Sequence, residues 1–228
     1  VCANVLTLTV LKYSTFILEN IENLLNIFNI SIPVYSNIYF AIVGISYFIF
    51  QSISYLADIY LEKIEAEKSF RILALSICFF PKLIQGPIER GGNLLPQMQN
   101  LGKINYANIW SGANLFLWGL FKKVVIADRL AMYVDPVYSD VSSHYGLSFV
   151  IATYLFAFQI YFDFSGYTDM ARGVARCFNI KLIENFNAPY LAKSIADFWR
   201  RWHISFSSWI LDYIFKPLQF NFRHWSMW

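Results

Sequence analysis

Apolar residues in this chain fall in long unbroken blocks and not in the strict alternation of a half-buried strand. Residues 32–56 run 25 positions without a charge. At about 1.5 Å per residue that suffices to cross a hydrocarbon core roughly 30 Å thick. Residues 145–162 give 18 more uncharged positions, residues 106–121 another block, and residues 1–18, interrupted by Lys12, read as the end of a further span. The pattern predicts an all-α, multi-pass transmembrane helical bundle.

Between the spans the pattern changes. Residues 72–81 are ten uncharged positions ahead of Lys82, too short to cross, so they are expected to dip in and return as a re-entrant element. The turn that follows, FPKLIQGPIERGGNLLPQ, is rich in Pro and Gly and makes Gln85, Glu89 and Arg90 available. Such backbone is either the wall of a wet cavity or an exposed loop. Residues 58–71 interleave Glu and Lys and read as a solvated connection. Lys122 and Lys123 are expected to anchor a helix at the interface, and residues 128–145 to form a loop or short surface helix with His144 facing solvent. Asp163 and Asp169 end the 145–162 span, where carboxylates face a cavity or a partner, or, for Asp169, pair with Arg172 three positions on. Residues 165–168 are expected to break and recap that helix, leaving 169–178 as a short amphipathic helix with Arg172 and Arg176 exposed. With no repeat or linker, residues 1–228 read as one membrane domain.

Residues 190–217, YLAKSIADFWRRWHISFSSWILDYIFKP, carry the sharpest feature. Ile195, Phe198, Trp199, Trp202, Phe206, Trp209, Ile210, Tyr213 and Ile214 recur at helical spacing and predict one interfacial amphipathic helix. His203 falls inside its apolar arc, with Asp197, Arg201 and Asp212 opposite and Arg200 just beyond the edge. Either the fold satisfies both ring nitrogens, or a neutral imidazole serves as proton acceptor. Ser205, Ser207 and Ser208 show no nucleophile elbow.

Composition narrows the class. Of 228 residues, 57% are apolar and 14% charged, and aromatics reach 19%, the balance of a membrane protein. A net charge of +3 supplies no basic stripe for nucleic acid. Cys2, Cys78 and Cys177 stand too far apart for a disulfide framework or a metal site, so no metal is expected. The chain begins at Val1 and stops within an aromatic run, which suggests a piece of a longer protein.

Four blocks occur in order: FPKLIQGPIER at 80–90, FQIYFDFSGYTDMARG at 158–173, ENFNAPY at 184–190 and DFWRRWHISFSSW at 197–209. Together they resemble the membrane-bound O-acyltransferase (MBOAT) family, in its alginate O-acetyltransferase-like branch, over roughly 72–218. The resemblance implies a helical enzyme of the cell (inner) membrane built around a central polar tunnel. It would pass an acetyl group from a cytosolic donor, acetyl-CoA, to hydroxyls of an exported polysaccharide, with no bound cofactor and with a periplasmic or membrane-anchored acetyltransferase-like partner. His203 matches the first of the family's two motif histidines; His224 lacks the glycine context of the second, and Gln219 and Phe220 replace a glycine pair. Asp163, Asp169, Asn185, Arg200, Arg201, Gln85 and Arg90 are the candidate substrate-binding residues, Arg200 or Arg201 for donor phosphates and Asn185 for a developing oxyanion. Two rival functions are D-alanyl transfer to teichoic acid from a carrier protein, and a transport subunit whose path is lined by Asp163, Asp169 and His203.

Overall fold

The computed structural model describes residues 1–28 and 44–221. Every regular element among them is helical: α1 (Cys2–Lys12), α2 (Ser14–Ile27), α3 (Ile45–Tyr60), α4 (Phe70–Ile77), α5 (Gly91–Gln99), α6 (Tyr106–Leu120), α7 (Asp128–Ser139), α8 (Gly146–Cys177), α9 (Ile195–Arg201), α10 (Ile204–Ile210) and α11 (Lys216–Asn221). The span expected over 32–56 lies partly outside the described residues; α3 is its described part.

The 32-residue α8 is the one described helix long and apolar enough to cross a membrane. Its first part turns large side chains outward, with Leu147 72% and Tyr154 70% exposed, surface suited to lipid. Its second part buries Ser165, Gly166, Thr168, Asp169, Ala171, Gly173 and Ala175. The break expected at 165–168 does not occur. Thr168 donates its hydroxyl to Ser165 O at 3.0 Å, and Gly166 lies against α6, so this polar stretch is satisfied without leaving the helix.

α6 runs antiparallel to α8 on a seam of glycines. Gly112 faces Gly173 and Gly119 faces Gly166, so close that a Cβ on Gly112 would sit 2.6 Å from Gly173 O, and one on Gly166 2.7 Å from Gly119 O. Glycine is required there by backbone approach alone. α6 then passes through a π-helical turn, Phe121–Ala127, straight into α7. The surface segment expected from 128 is therefore a continuation of the long helix as far as Ser139, followed by a 3₁₀ turn at Val141–Ser143. The wider π turn rotates Lys122 onto α8, where only 9% of the residue stays exposed.

α4, the 3₁₀ turn Phe80–Lys82 and α5 close against the end of α8 around Phe79, Leu94, Met98, Ala175, Ile180 and Leu182. The Pro- and Gly-rich turn is not an exposed loop: Lys82, Gly86, Pro87, Ile88 and Glu89 are buried in protein, and between them only Ile84 and Gln85 are exposed. α3 lies across the C-terminal helices through Phe50, whose ring meets Phe206 and Trp209 and whose carbonyl accepts from Trp209 Nε1 at 2.9 Å.

The single helix expected over 190–217 is interrupted at its middle. α9 ends at Arg201, Trp202 is extended, and His203 adopts the left-handed conformation (φ 43°, ψ 54°) before α10 begins. A second π-helical turn, Leu211–Phe215, joins α10 to α11.

Candidate functional site

The break at His203 has a local cause. A left-handed non-glycine residue costs of order 1–2 kcal/mol, a cost histidine accepts more readily than most, and the surrounding hydrogen bonds hold it there. Asn185 O accepts from Ile204 N at 2.9 Å and Asn185 Oδ1 from Ser205 N at 3.2 Å, capping α10, while Asn187 N donates to Arg201 O at 3.0 Å. The segment around Asn185 and Asn187 thus binds the chain on both sides of the turn. Its floor is the Pro- and Gly-rich turn: Ile88 N donates to Ser205 Oγ at 3.0 Å, and Glu89 Oε1 accepts from Ile183 N at 2.5 Å.

Within this clamp the imidazole stands edge-on to Phe164 at 4.7 Å and stacks on Phe206 at 5.2 Å. Phe186 fills the space between Phe164 and Trp202. Burial among these rings pushes His203 down to about 4, so the ring is neutral at physiological pH. Its Nε2 is buried and has no hydrogen-bond partner among the described residues. In the tautomer that carries its proton on Nδ1, this buried nitrogen has a free lone pair and can accept a proton from a group brought to it.

The other candidates separate into two sets. Asn185 is 1% exposed and belongs to the clamp. Asp169 is bonded to Lys122 at 2.6 Å and to Arg172 at 3.0 Å, and Arg172 reaches Glu184 beside Asn185. Arg172 is therefore largely covered, not exposed, and Asp169 is the hub of an ion-pair chain running from the π turn to the clamp. Asp163, about 40% exposed, pairs with Lys123, which also holds Asp128 at 2.8 Å. Lys122 and Lys123 thus bind α8 and do not simply anchor a helix at the interface. Arg201 is tied to Asp197 at 3.0 Å, whereas Arg200 is exposed on α9. Arg90 lies over the Tyr213 ring at 4.5 Å and reaches Asp212 at 3.5 Å, and Gln85 is exposed.

Sequence reasoning passed over Lys82. It is completely buried, with its Nζ on Gln51 Oε1 and, at 3.2 Å, on Ile77 O. Burial pushes its amine down to about 7 and pushes nearby Glu89 up. A lone lysine between Phe79-Phe80-Pro81 and Leu83-Ile84 was the signal available. A cleft of about 460 Å³ lies elsewhere, between α5 and the charged connection, rimmed by Glu65 and Glu67; it contains none of the candidate residues.

The family model of the membrane-bound O-acyltransferases matches residues 73–225, from α4 through the clamp and beyond. The chain belongs to the MBOAT family. This MBOAT chain is 39% identical, over 96% of its length, to a peptidoglycan O-acetyltransferase of Helicobacter pylori, 46% of which is covered. It is 37% identical, over 92% of its length, to the "Probable alginate O-acetylase AlgI" of Pseudomonas aeruginosa, 40% of which is covered. A teichoic acid D-alanyltransferase of Bacillus subtilis is 31% identical over 78% of the chain and 45% of that protein. The chain thus spans less than half the length of these relatives. The four motif blocks that resemble the MBOAT family meet in space: the 80–90 block floors the clamp, the 158–173 block supplies Phe164 and Asp169, the 184–190 block holds the turn, and the 197–209 block carries His203.

Proposed function

We propose that this chain forms part of a multi-pass O-acyltransferase of the cytoplasmic membrane, one membrane domain of helices arranged around a polar tunnel. The enzyme transfers an acetyl group from a cytosolic thioester, acetyl-CoA, to a hydroxyl of an exported polysaccharide, acting with an acetyltransferase-like partner on the far side. What carries this reading is His203, a neutral imidazole held by a strained turn in an aromatic groove with a buried, unpaired Nε2, in a chain of the MBOAT family. His203 takes the proton of the attacking hydroxyl as its oxygen adds to the thioester carbonyl. Proton transfer of this kind contributes roughly 10² to 10⁴ in rate. A ring with so low a pKa is a weak base at rest; negative charge building on the attacking oxygen stabilises the imidazolium as it forms.

Of the two adjacent arginines, exposed Arg200 is the one free to meet donor phosphates, since Arg201 is engaged by Asp197. Relatives named for peptidoglycan and for alginate are similar to this chain to almost the same degree, so peptidoglycan stands beside an exported polysaccharide as the acceptor to be tested. The D-alanyl relative is less similar, which favours acetyl as the group moved. A permeation path lined by Asp163 and Asp169 is disfavoured because both carboxylates are neutralised by lysines.

The deciding experiment replaces His203 with Ala and, separately, with Asn, which tolerates the left-handed turn, in the full-length protein. Alkali-labile acetate on peptidoglycan and on exported polysaccharide is measured, with membrane abundance followed by blot. Loss of acetate from one of the two polymers at normal abundance is expected, and it names the acceptor. Undiminished acetylation of both at normal abundance removes His203 from the chemistry.

A further inference from the structure

Asn185 and Asn187 hold the His203 turn, but the segment that leads to them has no regular structure of its own. It lies instead along α5. Ile180 and Leu182 enter the core with Leu94 and Met98 of that helix, while Lys181 between them is exposed, the alternation of an extended chain. Polar side chains then grip its main chain. Gln97 Oε1 accepts from Lys181 N at 2.8 Å and Gln97 Nε2 donates to Lys181 O at 3.2 Å, so one amide pairs with the segment as a neighbouring strand would. Glu89 Oε1 accepts from Ile183 N at 2.5 Å. Asn93 stands midway and links the two grips: its Nδ2 donates to Glu89 Oε2 at 2.6 Å, and its main-chain oxygen accepts from Gln97 Nε2 at 2.9 Å. Just beyond Ile183 comes Asn185, whose oxygens cap α10.

Glu89 is 2% exposed, and proton transfer at His203 makes no use of it. Its neighbours in the chain fasten other parts of the same clamp, Ile88 through Ser205 and Arg90 through Asp212. Three successive residues thus register the segment before the turn, the helix after it and the π turn beyond against one another. We propose that Glu89, backed by Gln97, is a positioning residue for His203, holding the main chain at Ile183 and Lys181 so that Asn185 and Asn187 meet the two sides of the turn. This rests on the reading of His203 as the base. Glu89 acts as an acceptor and not as a charge. Asn93 can turn its amide, so a glutamine in place of Glu89 would still accept from Ile183 N while donating to Asn93 Oδ1. Lys82 and Arg90 are the cations whose charges act on the carboxyl, and a role in balancing them would require the charge itself. With the grip removed, the left-handed turn loses bonds that offset its strain, and water reaches the ring.

The test uses membranes containing the full-length protein, with labelled acetyl-CoA as donor and either an alginate oligosaccharide or a peptidoglycan fragment as acceptor, rates being expressed per inserted molecule. Glu89→Leu fills most of the space and offers no acceptor. It is expected to lower kcat about 100-fold, the scale of a misplaced reacting group, with both KM values unchanged. The acid limb of kcat/KM should at the same time move up from about 4 toward 6.5 as the ring is hydrated. Glu89→Gln is expected to keep most of the wild-type rate and the low acid limb. Should Glu89→Leu accumulate poorly, Gln97→Leu, at a half-buried position, removes both bonds to Lys181 and is expected to raise the acid limb with a smaller loss of kcat. A wild-type kcat and acid limb in these leucine variants overturns the proposal. So does a slowed variant whose acid limb stays near 4, or a Glu89→Gln as impaired as Glu89→Leu, which would make the charge the requirement. All three leave His203 as the base, whereas wild-type transfer by His203→Asn would overturn the base itself.

Discussion

At the level of single residues, what matters at His203 is the combination of a strained backbone and a desolvated ring. Burial lowers its pKa from 6.5 to about 4, and the proton-accepting form is the neutral one. The kcat/KM for acetyl transfer should therefore stay level as pH falls from neutrality past 6.5 and decline only toward 4; an acid limb centred near 6.5 would mean a ring in contact with bulk water. Linkage has a definite sign here. Below pH 6.5 the unfolded chain binds a proton that the folded ring refuses, so this residue makes stability fall between 6.5 and about 4 and contributes nothing above. Gly86 offers a second check. A Cβ there would overlap the main chain of buried Lys82, so Gly86→Ala should sharply reduce the folded fraction, read as loss of a monodisperse peak in detergent. His203 was legible in the sequence as an imidazole among apolar positions, but its left-handed turn was not: helical spacing continues across Trp202 and His203, and periodicity carries no mark of one residue changing its backbone basin.

At the level of elements, two expected boundaries moved for the same reason. α8 runs through 165–168 because α6 supplies a glycine surface for Gly166, and the 190–217 helix breaks because Asn187 and Asn185 bind its two sides, at Arg201 and at Ile204 and Ser205. Each decision depends on a partner distant in the chain. The glycine seam predicts that Gly112→Ala or Gly166→Ala forces α6 and α8 apart. Either change should lower the midpoint of thermal unfolding in detergent by several degrees, as expected for roughly 1–3 kcal/mol of overpacking. Gly146, whose Cβ would meet nothing within 4 Å, should tolerate Ala and serves as the control.

For the whole molecule, the chain of charges from Lys122 through Asp169 and Arg172 to Glu184 ties the long helices to the clamp. Because Asp169 is its hub, Asp169→Asn leaves two cations largely buried without their shared carboxylate and should destabilise by about 3–5 kcal/mol. Lys122→Met leaves Asp169 still paired with Arg172 and should cost clearly less; equal losses in unfolding midpoint would contradict the hub. The outward face of α8 sets a second expectation at this scale. Tyr154, 70% exposed at the middle of the uncharged block 145–162, changed to Arg should reduce the membrane-integrated fraction after alkaline extraction, given roughly 2.5–3.5 kcal/mol for a charge at the centre of a membrane helix.

By itself the amino-acid sequence determined the helical class, the membrane setting and the MBOAT family, and it marked out His203 as an imidazole among apolar positions, since each is written in local composition, apolar block length or motif order. Only the tertiary structure decided where helices break, which carboxylates are already neutralised, and that Lys82 is buried. Those outcomes depend on which donor meets which acceptor across distances of up to more than a hundred residues, as between Ile88 and Ser205, and no local pattern encodes such a meeting.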